Sequence, residues 1–169
     1  MKVCISAFEI AICIAVALFA SGCSKHPRAP LSSSASIIIQ PHASVGPLHP
    51  GMTVQQVIDE IGEPDKKTDA TLDYSNLGFS MIFKDGIVHS IVFVDPTGEE
   101  GAIKKAFAGR TKEGIALKSS REDVIKIYGQ PDRIDANPKV SGDEVLRYQR
   151  LGLVFFIHDG KVEWMAVNF

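Results

Sequence analysis

The stretch Phe79-Ser80-Met81-Ile82-Phe83-Lys84-Asp85-Gly86-Ile87-Val88-His89-Ser90-Ile91-Val92-Phe93-Val94 consists of two runs of β-branched and aromatic residues joined by Asp-Gly. A type I′ turn needs positive φ at both central positions, and Asp-Gly supplies it, so the spacing predicts a hairpin of Phe79–Lys84 with Ile87–Val94. The same grammar recurs as Leu153–His158, Asp159-Gly160 and Lys161–Val167. Counting outward from the turns sets Phe83 opposite Val88, Met81 opposite Ser90 and Phe79 opposite Val92. In the second hairpin Ile157 faces Val162, Phe155 faces Trp164, and Leu153 faces Ala166. That face is almost wholly apolar and is expected to bury against a helix. The other face is mixed: Ser80, Ile82, Lys84, Ile87, His89 and Ile91, then Val154, Phe156, His158, Lys161, Glu163 and Met165.

The hairpins belong to a longer duplication. Leu48–Asp65 aligns with Ile115–Asp132, and Leu72–Val94 aligns with Leu146–Asn168, giving twelve identities over 41 positions. Composition alone yields roughly two or three. A loop seven residues longer follows Asp132 in the second copy and contains Asn137-Pro138 and Ser141-Gly142. Each copy opens on a helix. Thr53 has N-cap chemistry with Gln56 as its capping-box partner, Val54, Val57, Ile58 and Ile61 form one stripe, and Gly62 and Pro64 end the run. Ser120, Asp123, Val124, Ile125, Tyr128, Gly129 and Pro131 repeat this pattern. Three strands should follow each helix, the first ending near Tyr74 or Tyr148. The predicted fold is α+β: two tandem repeats, each a helix plus a three-stranded antiparallel sheet, over residues 48–96 and 114–169. A connector at 97–113 carries a short helix over Gly101–Phe107.

The pattern Gly51-Met52-Thr53, Gln56-Val57 and Gly62-x-Pro64 resembles the opening of the small outer-membrane assembly lipoproteins of the BamE/SmpA type. Two such units in tandem resemble the architecture of β-lactamase inhibitor proteins, whose paired repeats present a sheet surface to an enzyme. In the second copy Lys118 and Ser119 replace the Gly-Met. The motif residues are caps, stops and core positions, so the likeness implies a fold and transfers no contact residue.

Ahead of the repeats, Lys2 and an apolar run from Ile10 to Ala20 read as an export signal over residues 1–22. The run has 11 residues, short of the roughly 20 that a spanning helix needs. It ends in Leu18-Phe19-Ala20-Ser21-Gly22-Cys23-Ser24, which resembles the bacterial lipobox. The resemblance implies cleavage between Gly22 and Cys23 and acylation of Cys23. The alternative is an ordinary secretory signal with Cys23 incidental. Cleavage there removes Cys4 and Cys13, and acylation would consume the single thiol left in an oxidising compartment. Several acyl chains give lasting attachment. Ser24 is not the aspartate that holds such proteins at the inner membrane, so the expected location is the outer membrane, facing the periplasm. Residues 23–47, rich in Pro, Ser, Ala and His, read as a flexible tether, with Ile37-Ile38-Ile39 a candidate edge strand.

Catalytic chemistry is hard to find. None of the five histidines stands at metal-ligand spacing from another. There is no Gly-x-Ser-x-Gly elbow, and Gly109-Arg110-Thr111 lacks the glycine and lysine of a phosphate loop. Asp65 and Asp132, which share a position after Gly-x-Pro, are read as turn carboxylates. His89 and His158 could titrate near neutral pH. A net charge of −2 gives no reason to expect a nucleic-acid partner. No cofactor and no metal are expected. The leading expectation is a lipid-anchored, non-catalytic envelope protein that binds a protein partner, in outer-membrane assembly or maintenance. Inhibition of a periplasmic or secreted enzyme is the alternative, and a hydrolase with an unrecognised site is the remote one. The candidate partner face comprises Ile82, His89, Ile91, Phe156 and Met165. Such a face can also be a seam between the repeats or ordinary surface.

Overall fold

The computed structural model describes residues 31, 33, 34, 37–96, 103–136 and 142–169. The export signal, Gly22 and Cys23 lie outside the described residues. The chain is α+β, with strands β1 (Ile38–Gln40), β2 (Ser44–Val45), β3 (Lys66–Lys67), β4 (Thr71–Tyr74), β5 (Phe79–Lys84), β6 (Ile87–Val94), β7 (Arg110–Thr111), β8 (Arg133–Ala136), β9 (Glu144–Tyr148), β10 (Leu153–His158) and β11 (Lys161–Asn168). Two helices, α1 (Val54–Ile61) and α2 (Arg121–Tyr128), complete it. The strands form an eight-stranded sheet ordered β3-β4-β5-β6-β11-β10-β9-β8 and a small sheet ordered β2-β1-β7.

Both helices start where their caps dictate. The Gln56 N–H donates to Thr53 Oγ1 at 3.3 Å, and the Thr53 N–H donates to Gln56 Oε1 at 2.8 Å, closing the capping box. The Asp123 N–H donates to Ser120 Oγ at 3.0 Å. Gly62 and Gly129 end the helices at positive φ. One tether from the sheet holds each end in place. The Tyr74 hydroxyl donates to the Gly62 carbonyl and the Tyr148 hydroxyl to the Gly129 carbonyl, each at 2.9 Å. Burial pushes the ionisation of both phenols upward.

The sheet is larger than two separate three-stranded units. A fourth strand follows each helix, β3 in one half and β8 in the other, and β6 pairs with β11 to join the halves. β3 has no apolar residue at all, and β8 alternates over only four residues, Arg133-Ile134-Asp135-Ala136, too few to announce a strand. The two Asp-Gly turns are as expected, with φ of 52° and 77° at Asp85 and Gly86, and 47° and 72° at Asp159 and Gly160.

Beyond the first two pairs next to each turn, the register departs from the count. A β-bulge separates Ile82 from Phe83 and another separates Phe156 from Ile157, with His89 and Glu163 as the extra residues. Phe83 still faces Val88, but Met81 faces Ile91 and Phe79 faces Phe93. Likewise Ile157 faces Val162, but Phe155 faces Met165 and Leu153 faces Val167. One extra residue exchanges the two faces of a strand. Ile91 and Met165, expected on the partner face, are therefore core residues, 0% and 1% exposed. Trp164, expected inside, turns outward with Phe156.

The tether expected over 23–47 overlaps the fold from Ile37 onward. Ile37, Ile39 and Val45 are buried. The island contributes β1, Ile38–Gln40, which is not an edge strand but the middle of the small sheet, paired antiparallel with nearby β2 and parallel with β7 from far along the chain. The connector is not helical at its described residues 103–107. It is pinned instead, with the Lys104 and Lys105 N–H groups donating to the Ser75 carbonyl at 3.0 Å. Phe107 enters the core, its ring 4.3 Å from that of Phe93 and 6.4 Å from that of Phe79. Both helices, the small sheet and Phe107 contribute to one core against one face of the large sheet.

Candidate functional site

Among the described residues, no helix or second sheet covers the other face of the eight-stranded sheet. Its side chains line up in rows across the strands. One row runs Val94, Trp164, Phe156, Val145, Asp135, and the next runs Val92, Ala166, Val154, Arg147, Arg133. In the other direction Val92 is followed by Ser80, Asp73 and Lys66. The half built on β8–β11 is thus apolar and aromatic, and the half built on β3–β6 is smaller and more polar. The rings of Phe156 and Trp164 stack with centroids 5.5 Å apart and planes 15° apart. Both are partly exposed.

Arginines border this patch. Asp135 lies between Arg147, whose Nε is 2.6 Å from Asp135 Oδ2, and Arg133, which bonds the other carboxylate oxygen. Arg147 and then Arg133 hold the Asp135 carboxyl below the usual carboxylate range. Two cations share one anion, so this border carries a net positive charge. Aromatic and arginine side chains over an apolar centre are the composition that dominates protein–protein binding energy.

Of the expected partner-face residues, Ile82 and Phe156 are on this open face, His89 is exposed at a bulge, and Ile91 and Met165 are not on it. Trp164, Arg147 and Asp135 were not foreseen as surface residues of a patch. The bulges alone moved Trp164, and a bulge has no reliable mark in a run of apolar residues.

The paired aspartates are structural, but at longer range than a turn carboxylate. Asp65 accepts the Ser75 N–H at 2.8 Å and the Asn76 N–H at 3.4 Å, gripping the β4–β5 turn. The Ser75 side chain and these backbone donors hold Asp65 below the usual carboxylate range. Asp132 accepts the Arg150 N–H at 3.4 Å in the same place of the other half. Arg121 pairs with Glu144, anchoring the start of α2 to β9.

His158 pairs with a carboxylate. Its Nδ1 is 2.7 Å from Asp143 Oδ1, and its Nε2 is 3.6 Å from Asp159 Oδ2. The Asp143 hydrogen bond raises its pKa above the ordinary histidine value. A raised folded-state pKa stabilises the fold below the unfolded value, and that contribution fades as pH rises through the folded value. NMR titration of His158 should give a pKa above 6.5, and Asp143→Asn should return it towards that value. The urea midpoints of the two proteins should differ below that pH and converge well above it. An unshifted His158 would contradict the pairing.

Among the described residues, no group of three or more His, Cys, Asp or Glu side chains is placed to hold a metal ion. Nor is any described helix long and apolar enough to cross a membrane. No family model matches the chain, and no curated protein matches it. It has a distant likeness to the crystal structure of a DUF4309 family protein, YjgB, from Bacillus subtilis. The identity is 16%, the TM-score 0.43, and the match covers 69% of this chain and 77% of that one.

Proposed function

We propose that the chain is a lipid-anchored envelope protein that binds a protein partner, without catalysis, through the open face of its large sheet. The observation that carries this reading is the Phe156–Trp164 stack, partly exposed in a row with Val145 and Val94 and bordered by Arg147 and Arg133. Large aromatic rings left in water oppose folding economy, and a docked protein would bury them. The lipobox-like stretch ending in Cys23 supports the anchor, and the likeness to envelope assembly lipoproteins supports a role in outer-membrane assembly or maintenance.

The finer architecture belongs to the same proposal. Each half runs cap, eight-residue helix, four-stranded meander. In the joining ladder Ser90 faces Asn168, Val92 faces Ala166 and Val94 faces Trp164. Val92 and Ala166 are equivalent positions of the aligned copies, so a pseudo-two-fold axis runs through that pair. This is the pattern of a duplicated unit that once paired with itself.

Two measurements test the reading. Mass spectrometry of the mature protein should find an acylated N-terminal Cys23, and Cys23→Ser should move the protein from the membrane to the soluble fraction. A photo-crosslinker at Phe156 in intact cells should capture a membrane-assembly protein, and Trp164→Asp should abolish capture by a crosslinker at Ile82. A captured enzyme would transfer the reading to inhibition. Failure to capture any protein from Phe156 would end the partner reading, whatever the state of Cys23.

A further inference from the structure

The two outer edges of the large sheet occupy corresponding places and are built differently. At one edge β3 has two residues, Lys66 and Lys67, both exposed. A very short, lysine-bearing edge is the usual protection against an incoming strand. At the other edge β8 is twice as long, and among the described strands it pairs with β9 alone. Lys67 stands opposite Leu72, and Ile134 stands opposite Leu146 in the matching ladder. Where one edge has a charge, the other therefore has an isoleucine that is 45% exposed. On α2, Ile127 is 41% exposed, and the aligned position on α1 is Glu60.

The sequence of this edge, which has no further partner among the described strands, complements itself. Arg133, Ile134 and Asp135 alternate across the strand, with the two charged side chains on the open face and Ile134 on the helix side. Consider a second β8 laid antiparallel alongside, about a two-fold axis at Ile134. Directly opposite residues then point to the same face. Ile134 meets Ile134, Arg133 meets Asp135 of the second copy, and Asp135 meets its Arg133. Both ion pairs are attractive, and the apolar pair covers the exposed isoleucine. Arg133 is already bonded to Asp135 within its own strand, so the exchange keeps each charge partnered. A register shifted by one residue would place side chains on mismatched faces.

We infer that β8 is a strand-addition edge and that its occupant is the β8 of a second copy of this chain, which would make an isologous dimer with one continuous sheet. The open faces of both copies remain uncovered, so the dimer is independent of the partner reading above and would present two partner surfaces side by side.

The test uses the full chain carrying Ile134→Cys, produced in cells and oxidised. Opposed residues of an antiparallel pair have Cα atoms about 4.5–5.5 Å apart, within disulfide reach. A disulfide-linked dimer is expected on a non-reducing gel, also in a Cys23→Ser background, and none from Lys67→Cys or from the parent chain. Adding Arg133→Asp or Asp135→Arg should reduce the dimer at least about tenfold, because two like-charge pairs replace two attractive ones. Co-expressing the two charge variants should restore it, as should the double exchange within one chain. Sedimentation of the parent protein should show reversible self-association with the same charge dependence. A parent protein monomeric at every concentration, a crosslink indifferent to the charges, or a crosslink to a different protein would each overturn the assignment.

Discussion

Gly78→Ala is expected to destabilise the protein by about 3 kcal/mol or more, which lowers the melting temperature of a domain this size by roughly 6–12 °C. Gly78 stands at a φ of +82°, where a side chain is strained whatever the space. The space is also absent: an added Cβ would lie 2.2 Å from the Phe107 nitrogen and 2.5 Å from its Cα. These are backbone atoms and cannot swing away. They are held in place because the Phe107 N–H donates to the Val94 carbonyl and the Val94 N–H donates to the Gly78 carbonyl, each at 3.1 Å. Gly86→Ala is the matched control. Its φ of +77° is similar, but nothing lies within 4 Å of the added atom. Only the conformational cost of about 1–2 kcal/mol should remain. Thermal melts and urea titrations of the two variants compare the effects directly. Equal losses would mean that the connector does not press against Gly78.

Phe107→Ala should cost about 3–5 kcal/mol, the range for deleting a buried aromatic ring. The ring is buried against Phe93 and Phe79, at the place where the connector crosses the core. Phe156→Ala removes the same atoms from a partly exposed ring whose stacking partner is Trp164. Its loss should be about 1 kcal/mol. The contrast matters for function. If Phe156 contributes little to folding, a loss of partner capture in its variants reports on binding and not on unfolding. A Phe156→Ala variant as unstable as Phe107→Ala would make the ring a core residue and remove the basis of the proposed face.

What the residues announced by local rules is present. Thr53 and Ser120 cap, Gly62 and Gly129 stop, and Asp85-Gly86 and Asp159-Gly160 turn, because each acts on neighbours a few residues away. Non-local features were illegible. The strands Lys66–Lys67 and Arg133–Ala136 pair with β4 and β9, and two lysines or a four-residue alternation is too short a pattern to mark a strand. The Ile37–Ile39 island reads from sequence as a candidate edge strand, but β1 (Ile38–Gln40) lies in the middle of its small sheet because Arg110–Thr111 pairs on its far side, and Phe107 needed Phe93. The candidate face was half legible for a sharper reason. Ile82 and Phe156 stand on β5 and β10, which carry no extra residue, so their facing survives. Ile91 and Met165 lie beyond His89 and Glu163, where the count has slipped by one residue. Matching bulges in both hairpins made the error identical in both, so agreement between the two hairpins could not expose it.

The central seam of the sheet governs the order in which the chain can fold. β6 pairs with β11, and α2, β8, β9 and β10 all lie between them along the chain. A polypeptide emerging in sequence order completes its first meander while β6 still has a bare edge. That edge holds Ile91 and Phe93, which end buried. Its partner arrives with the last of the described strands. Pairings this distant slow folding, and an open apolar edge is the surface on which nascent chains aggregate. The closing of β11 onto β6 is thus the step that turns two half-sheets into one cooperative unit. Substitutions at the Val92–Ala166 pair should act first on the folding rate, before any surface of the finished protein exists to bind anything.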